Sequence, residues 1–152
     1  MALGDRQARK LIARVQPLIT EPVLGAALLS PKGRQAAMAI SFGAVGGVES
    51  KVAPGFASYN VVAYTDHALY AFKADTNFGT SIKDPIGWWP WGAFGASTST
   101  AVGARYLTLG WVDGSTSELE AHTVLSNQFQ GKVIEEIVRR AAVAGGIPPR
   151  PA

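Results

Sequence analysis

The spacing of hydrophobic positions changes several times along this chain. In residues 5–16, DRQARKLIARVQ, Ala8, Leu11, Ile12 and Val15 recur at three- and four-residue steps and share one face of a short helix. Arg6, Lys10 and Arg14 fall four apart on another face. Asp5 sits in the first turn, where the macrodipole favours an anion, and Pro17 stops the helix. Residues 23–29, VLGAALL, form an unbroken apolar run that fits a buried first strand ending at the turn SPKG. Residues 33–49 have no clean period. Their alanines and Met38 favour a helix, the preferred reading, while Gly43, Gly46 and Gly47 weaken it and leave a loop or a loosened strand open.

From residue 59 the period becomes that of strands. YNVVAYT and ALYAFKA are rich in β-branched and aromatic residues and are separated by Asp66-His67, which predicts a tight hairpin. A turn at Asp84-Pro85 should precede one strand running through the tryptophans. In ARYLTLGWV, Leu107, Leu109 and Trp111 alternate with Tyr106, Thr108 and Gly110. Asp113-Gly114 predicts a two-residue type I′ turn, with φ positive at both positions. The returning TSELEAHTV puts Leu119 and Ala121 inward and Glu118, Glu120 and His122 outward. A helix follows, with Ser126 as N-cap and Gly145 or Gly146 just past its end. Phe129, Val133, Ile134, Ile137, Val138 and Ala141 make its apolar stripe, and Lys132, Glu135, Glu136, Arg139 and Arg140 its polar side. No strand–helix–strand alternation appears, so the pattern predicts a mainly β, α+β fold: a curled antiparallel sheet plugged by the last helix.

Composition narrows the class. At 152 residues the chain is one domain's length, with 47% hydrophobic and only 16% charged residues, so a partner is expected to cover some apolar face. There is no cysteine, which excludes disulfides and thiolate chemistry and permits a cytoplasmic address. The opening residues are charged, unlike a secretory signal, and the longest apolar stretch, 36–48, is too short to span a bilayer as a helix. The net charge of +3 is low for a nucleic-acid binder, and none is expected as a partner.

At this point VVAYTDHALYAF resembles the hairpin of bacterial pleckstrin-homology-like (PH-like) domains, in which an apolar strand enters a Thr-Asp turn and leaves through Leu-Tyr. The WPW strand, YLTLGWVDGSTSELEA and the final FQGKVIEEIVRR follow in that family's order. The similarity covers about residues 55–142, and more loosely 18–30. It implies two near-orthogonal antiparallel sheets in a half-open barrel, closed by a C-terminal amphipathic helix. Pattern and resemblance together divide the chain, as expectations, into a short N-terminal helix (1–17), a barrel domain (18–145) and a flexible tail (146–152). Relatives that read phosphoinositides carry a basic cluster between their first two strands. Here Lys32, Arg34 and Lys51 flank an apolar, glycine-rich insert instead, so that ligand is not expected.

Catalytic constellations are absent from the pattern. His67 and His122 lack a second ligand at metal spacing, Glu118 and Glu120 read as a solvated strand face, and no glycine-rich loop has phosphate-binding form. The expectation is a non-enzymatic domain without cofactor or metal. It would bind protein partners or itself as a homo-oligomer, with a membrane surface open as a further, peripheral contact. The alternative is a carrier or enzyme using a barrel-mouth pocket lined by Tyr64, Tyr70 and Trp111. The candidate surface comprises Trp88, Phe42 and Met38, with the basic helix face of Arg6, Lys10 and Arg14. Three of the four tryptophans lie in WWPW, residues 88–91. On one strand Trp89 and Trp91 would pack inward against Phe129 and Ile137, leaving Trp88 outward beside a proline-marked edge. The N-terminal helix is expected to be an accessory whose removal leaves the barrel folded.

Overall fold

Seven strands, all antiparallel to their neighbours, form one sheet in the order β4-β3-β2-β1-β7-β6-β5. The computed structural model describes residues 3–31, 56–75, 81–101, 104–122 and 128–145. The strands are β1 (Gly25–Pro31), β2 (Asn60–Tyr64), β3 (Ala68–Asp75), β4 (Ser81–Pro90), β5 (Gly95–Ala101), β6 (Ala104–Gly110) and β7 (Thr116–His122). Helix α1 (Leu3–Val15) precedes them and helix α2 (Gln128–Val143) follows. Among the described residues β4 and β5 are the edges, and the sheet curls without closing: a half-open, barrel-like α+β fold. β1 joins its two halves. Gly25–Leu29 pair with β2, and Ser30 and Pro31 pair with Glu120 and Leu119 of β7. The strand expected at 23–29 therefore begins two residues later and runs through Ser30-Pro31, where a turn was expected, because β7 supplies a partner there.

Three turns correct the sequence pattern. Asp84-Pro85 is no turn: β4 runs through it, and the β3–β4 register shifts so that Phe72 faces Pro85 and Ala74 faces Ile82. A missing donor is tolerated at a bulge in an edge strand. The expected single strand through the tryptophans is two strands. β4 stops at Pro90, Ala93 N–H donates to Pro90 O at 3.0 Å, Gly92 adopts φ +98°, and β5 begins at Gly95. The loop at Asp113-Gly114 has three residues, not two. Trp111 N–H bonds Ser115 O at 2.9 Å, and Gly114, at φ +89°, donates to Trp111 O at 3.0 Å. Asp113 Oδ1 accepts from Ser115 N and Oγ at 2.9 and 2.6 Å, which draws Ser115 into the turn. The Asp66-His67 hairpin forms as the sequence predicts, with Thr65 N–H on Ala68 O at 3.0 Å and Thr65 Oγ1 accepting from both His67 N and Ala68 N.

Two apolar clusters lie on opposite faces of the first half. The inner one gathers Leu29, Val62, Leu69, Phe94, Leu107, Leu109 and Leu119 beneath α2, whose Val133, Ile134, Ile137 and Ala141 point down as their spacing predicts. Gly145 ends α2 at φ +73°. Ser126 lies outside the described residues. The outer cluster packs Leu11 and Val15 of α1 onto Ala26, Val61, Ala63 and Phe72. Phe129 belongs here and not with the tryptophans, because the first turn of α2 reaches over to the α1 side. Helix α1 ends at Val15, just before Pro17 as the sequence predicts, and one 3-10 turn, Gln16–Leu18, follows. The Gln16 side chain then ties down the linker, bonding Ile19 O, Glu21 O and Val23 N. Glu120, expected to be outward and solvated, is buried opposite Ser30, where β1 crosses between the halves. Glu118 is exposed, as expected.

Gly25 and Gly131 provide a paired test. A Cβ on Gly25 would lie 2.4 Å from Tyr64 Cε1, whereas one on Gly131 meets nothing closer than Arg105 Cζ at 3.9 Å. Gly25→Ala should destabilise by about 1–3 kcal/mol through overpacking. Gly131→Ala should stabilise by up to about 1 kcal/mol through helix propensity. Urea unfolding of the two variants checks both signs. Because Val15 is wholly buried, deleting residues 1–16 should abolish cooperative unfolding in circular dichroism, contrary to the accessory role the sequence suggested. A cooperative transition at the full-length midpoint would show that the outer cluster closes without α1.

Candidate functional site on the outer face of the first half

The indoles divide by role. Trp89, from β4, packs on the inner core and meets Trp111 with ring centroids 4.9 Å apart. Phe94, fully buried, lies between Trp91 at 5.6 Å and Trp111 at 6.2 Å. Trp91 is a turn residue, not a strand neighbour of Trp89, and its Nε1 donates to Thr65 O at 3.0 Å. Trp111 Nε1 donates to Ser117 Oγ at 2.8 Å. Buried indole donors paired in this way belong to a wall of the core. Trp88 differs. It is 60% exposed and lies on Tyr70 of β3 with centroids 6.3 Å apart and planes 25° from parallel.

A polar cluster borders this pair. Tyr70 O–H donates to Glu21 Oε2 at 3.1 Å, and His67 Nδ1 lies 3.1 Å from Glu21 Oε1. Hydrogen bonding, chiefly with Thr65 and then with His67 and Tyr70, holds the Glu21 carboxyl below its ordinary range against some desolvation. Burial, then Glu21, raises the Tyr70 phenol. Tyr64, Tyr70 and Trp111 do not converge on a barrel-mouth pocket. Tyr64 lies in the inner core with Arg140 5.3 Å above its ring, Tyr70 is on the outer face, and Trp111 is in the aromatic wall. Arg140 also reaches Asp66 at 3.2 Å and Glu136 at 2.9 Å, pinning α2 to the β2–β3 hairpin. Arg139 pairs with the same Glu136 carboxylate.

On the other side of this face, Arg6, Lys10 and Arg14 are exposed along α1, with Arg9 beside them. Lys10 and Arg14 rim a cleft of about 360 Å³ between α1 and the start of α2, whose other lining residues are Gln7, Leu11, Leu28, Phe129 and Gln130. Gln130 is buried, and its Oε1 accepts Leu28 N–H at 2.6 Å, where β1 has no β7 partner in register. Sequence reasoning found the cations and Trp88 but missed the cleft. The available signal was Gln130 itself, a polar residue three and four positions before Val133 and Ile134 on the apolar stripe. Met38 and Phe42 lie outside the described residues. Among the described residues no group of three or more His, Asp or Glu could hold a metal, and no helix is long and apolar enough to cross a membrane. Neither a protein-family model nor a curated protein matches this sequence.

The Glu136 cluster has a pH signature. The Arg139 hydrogen bond first, then Arg140, lowers its carboxyl from 4.5 to about 2. A depressed carboxylate stabilises the fold fully above its unfolded value, and that contribution is lost as pH falls through its folded value. Acid titration of stability should therefore show a loss between pH 4.5 and about 2 that Glu136→Gln flattens. An identical profile in the variant would remove this pair from the stability of the α2–hairpin contact.

Proposed function

We propose that this chain is a non-enzymatic PH-like interaction domain that associates with a protein partner, the simplest being a second copy of itself. The supporting topology is seven antiparallel strands, a first strand shared by both halves, an unclosed sheet and a C-terminal helix packed on the inner core. The observation that carries the binding role is Trp88. An indole 60% exposed, ordered against Tyr70 on a free edge strand, is an aromatic anchor of the kind that dominates protein interfaces. Pro85 and Pro90 of β4 carry no N–H to offer an added strand, so side-chain packing across a two-fold axis suits this edge better than continuous strand addition. A second reading, a small-molecule binding domain, is favoured by the α1–α2 cleft rather than by the barrel mouth.

Sedimentation equilibrium tests the first reading. The full chain should associate in the micromolar range, and Trp88→Ala should weaken association about 30-fold, the equivalent of one hot-spot residue. A wild-type chain that stays monomeric to millimolar concentration, and a surface that captures no partner through Trp88, would leave the indole without a role.

A further inference from the structure

We propose that the cleft between α1 and α2 binds one anionic amphiphile, its headgroup at Lys10 and Arg14 and its apolar part on Leu11, Leu28 and Phe129. This deepens the second reading above and is independent of Trp88.

The lining is chemically lopsided. Lys10 and Arg14 stand one helical turn apart at the rim, and among the described residues that line the cleft there is no carboxylate. A point cation beside a planar fork suits a carboxylate or a phosphate monoester. The oxygen of Gln130 is committed to Leu28 N–H, so what this side chain offers a ligand is its amide donor end. Gln7 brings an amide oxygen that is shut off from water and meets no donor, which is uncommon in folded proteins. A headgroup hydroxyl reaches that oxygen only if the amide turns toward the cleft. The polar side is thus rich in donors and positive. Leu11, Leu28 and Phe129 form an apolar side, and that combination selects an anion attached to a hydrocarbon over a free inorganic ion.

The site is held by the fold. Leu11 is fixed by the outer cluster, Leu28 belongs to β1, and the first turn of α2 is tied to β1 through Gln130. About 360 Å³ is at the small end of ligand pockets, enough for one short chain or ring and too narrow for a helix about 10–12 Å across.

The shared chemistry, an anionic headgroup on a hydrocarbon, could be presented by a free amphiphile or by a lipid in a bilayer, and the probes separate these sources. Decyl phosphate below its micellar concentration, inorganic phosphate, and vesicles of phosphatidylglycerol are titrated into the full chain, read by backbone amide NMR shifts and by co-sedimentation. Monomeric decyl phosphate should bind saturably at one site, shifting residues 7–14, Leu28 and Gln130, at least tenfold tighter than inorganic phosphate. Lys10→Glu with Arg14→Glu should weaken it at least tenfold. Arg6→Glu with Arg9→Glu changes the charge of the same helix equally but lies outside the cleft lining, and should leave binding within twofold. Vesicle binding in addition to decyl phosphate binding, lost in the Lys10/Arg14 pair alone, would support the same site with a bilayer lipid as its source. Three results would overturn the proposal: no saturable shift, equal affinity for inorganic and decyl phosphate, or equal weakening by both charge-reversed pairs. Binding to vesicles without binding to the monomer would also overturn it, reducing α1 to a surface contact. Trp88→Ala should bind decyl phosphate like wild type, so failure of self-association and failure of the cleft are read separately.

Discussion

The sheet does not close, and most of the remaining structure answers that constraint. β4 and β5 are consecutive in the chain yet stand at opposite ends of the strand order, joined only by the corner Trp91–Phe94. A barrel abolishes its edges by hydrogen bonding them; here side chains take that role. Trp89 and Trp91 from the β4 side, Phe94 from the corner and Trp111 from the β6–β7 loop form a continuous aromatic contact. Helix α2 covers the open side, and its Gln130 supplies the acceptor that β7 cannot give Leu28. Few residue types could meet this need. An indole covers a wide gap and can still satisfy its one donor on a nearby carbonyl or hydroxyl, as Trp91 and Trp111 both do.

An unclosed sheet also needs cover on its outer side. All five residues of β2 are buried, which an antiparallel strand with one wet face would not show. α2 packs over the inner face and α1 over the outer one, so the first half of the sheet lies between two helices. NVVAY therefore reads as an apolar run rather than an alternation, and α1 belongs to the core although it precedes the sheet in the chain. The second half is different. β6 alternates, with Leu107 and Leu109 fully buried and Tyr106 and Thr108 partly exposed.

What could be read in advance follows from this asymmetry. The α2 stripe, the Thr65–Ala68 hairpin, the inward Leu107, Leu109 and Leu119 and the outward Trp88 were all legible, because each rests on a local period or on local turn chemistry. β5 was not. Its GASTSTA is exposed from Ser97 to Thr100 and shows no apolar alternation, and only its pairing with β6 makes it a strand. Asp84-Pro85 has the composition of a turn, and only its place at the edge, where a missing N–H is harmless, turns it into a bulge. The extra residue at Gly114 depends on the Asp113 carboxylate holding Ser115, a contact that pattern does not encode. The cleft was illegible for a further reason: its walls are about 120 residues apart in sequence, and α1 alone looks like any helix with a wet basic face.

The distribution of cations gives that basic face its significance. On β6 and α2 the arginines are engaged within the fold: Arg105 with Glu135, Arg139 with Glu136, and Arg140 with Glu136, Asp66 and the ring of Tyr64. Those charges cancel locally and hold elements together. On α1, Arg6, Arg9 and Lys10 stand exposed on a helix whose only acid is Asp5, and Arg14 is exposed on the same helix. The chain's modest net charge of +3 is therefore unevenly spread. A field of that kind does little for stability, since exposed charges are screened within about 8–10 Å at ordinary salt. It acts instead on whatever approaches, raising the local concentration of anions beside a concave surface. α1 thus combines two physical roles in 13 residues, an apolar face that completes the core and a charged face beside a cleft.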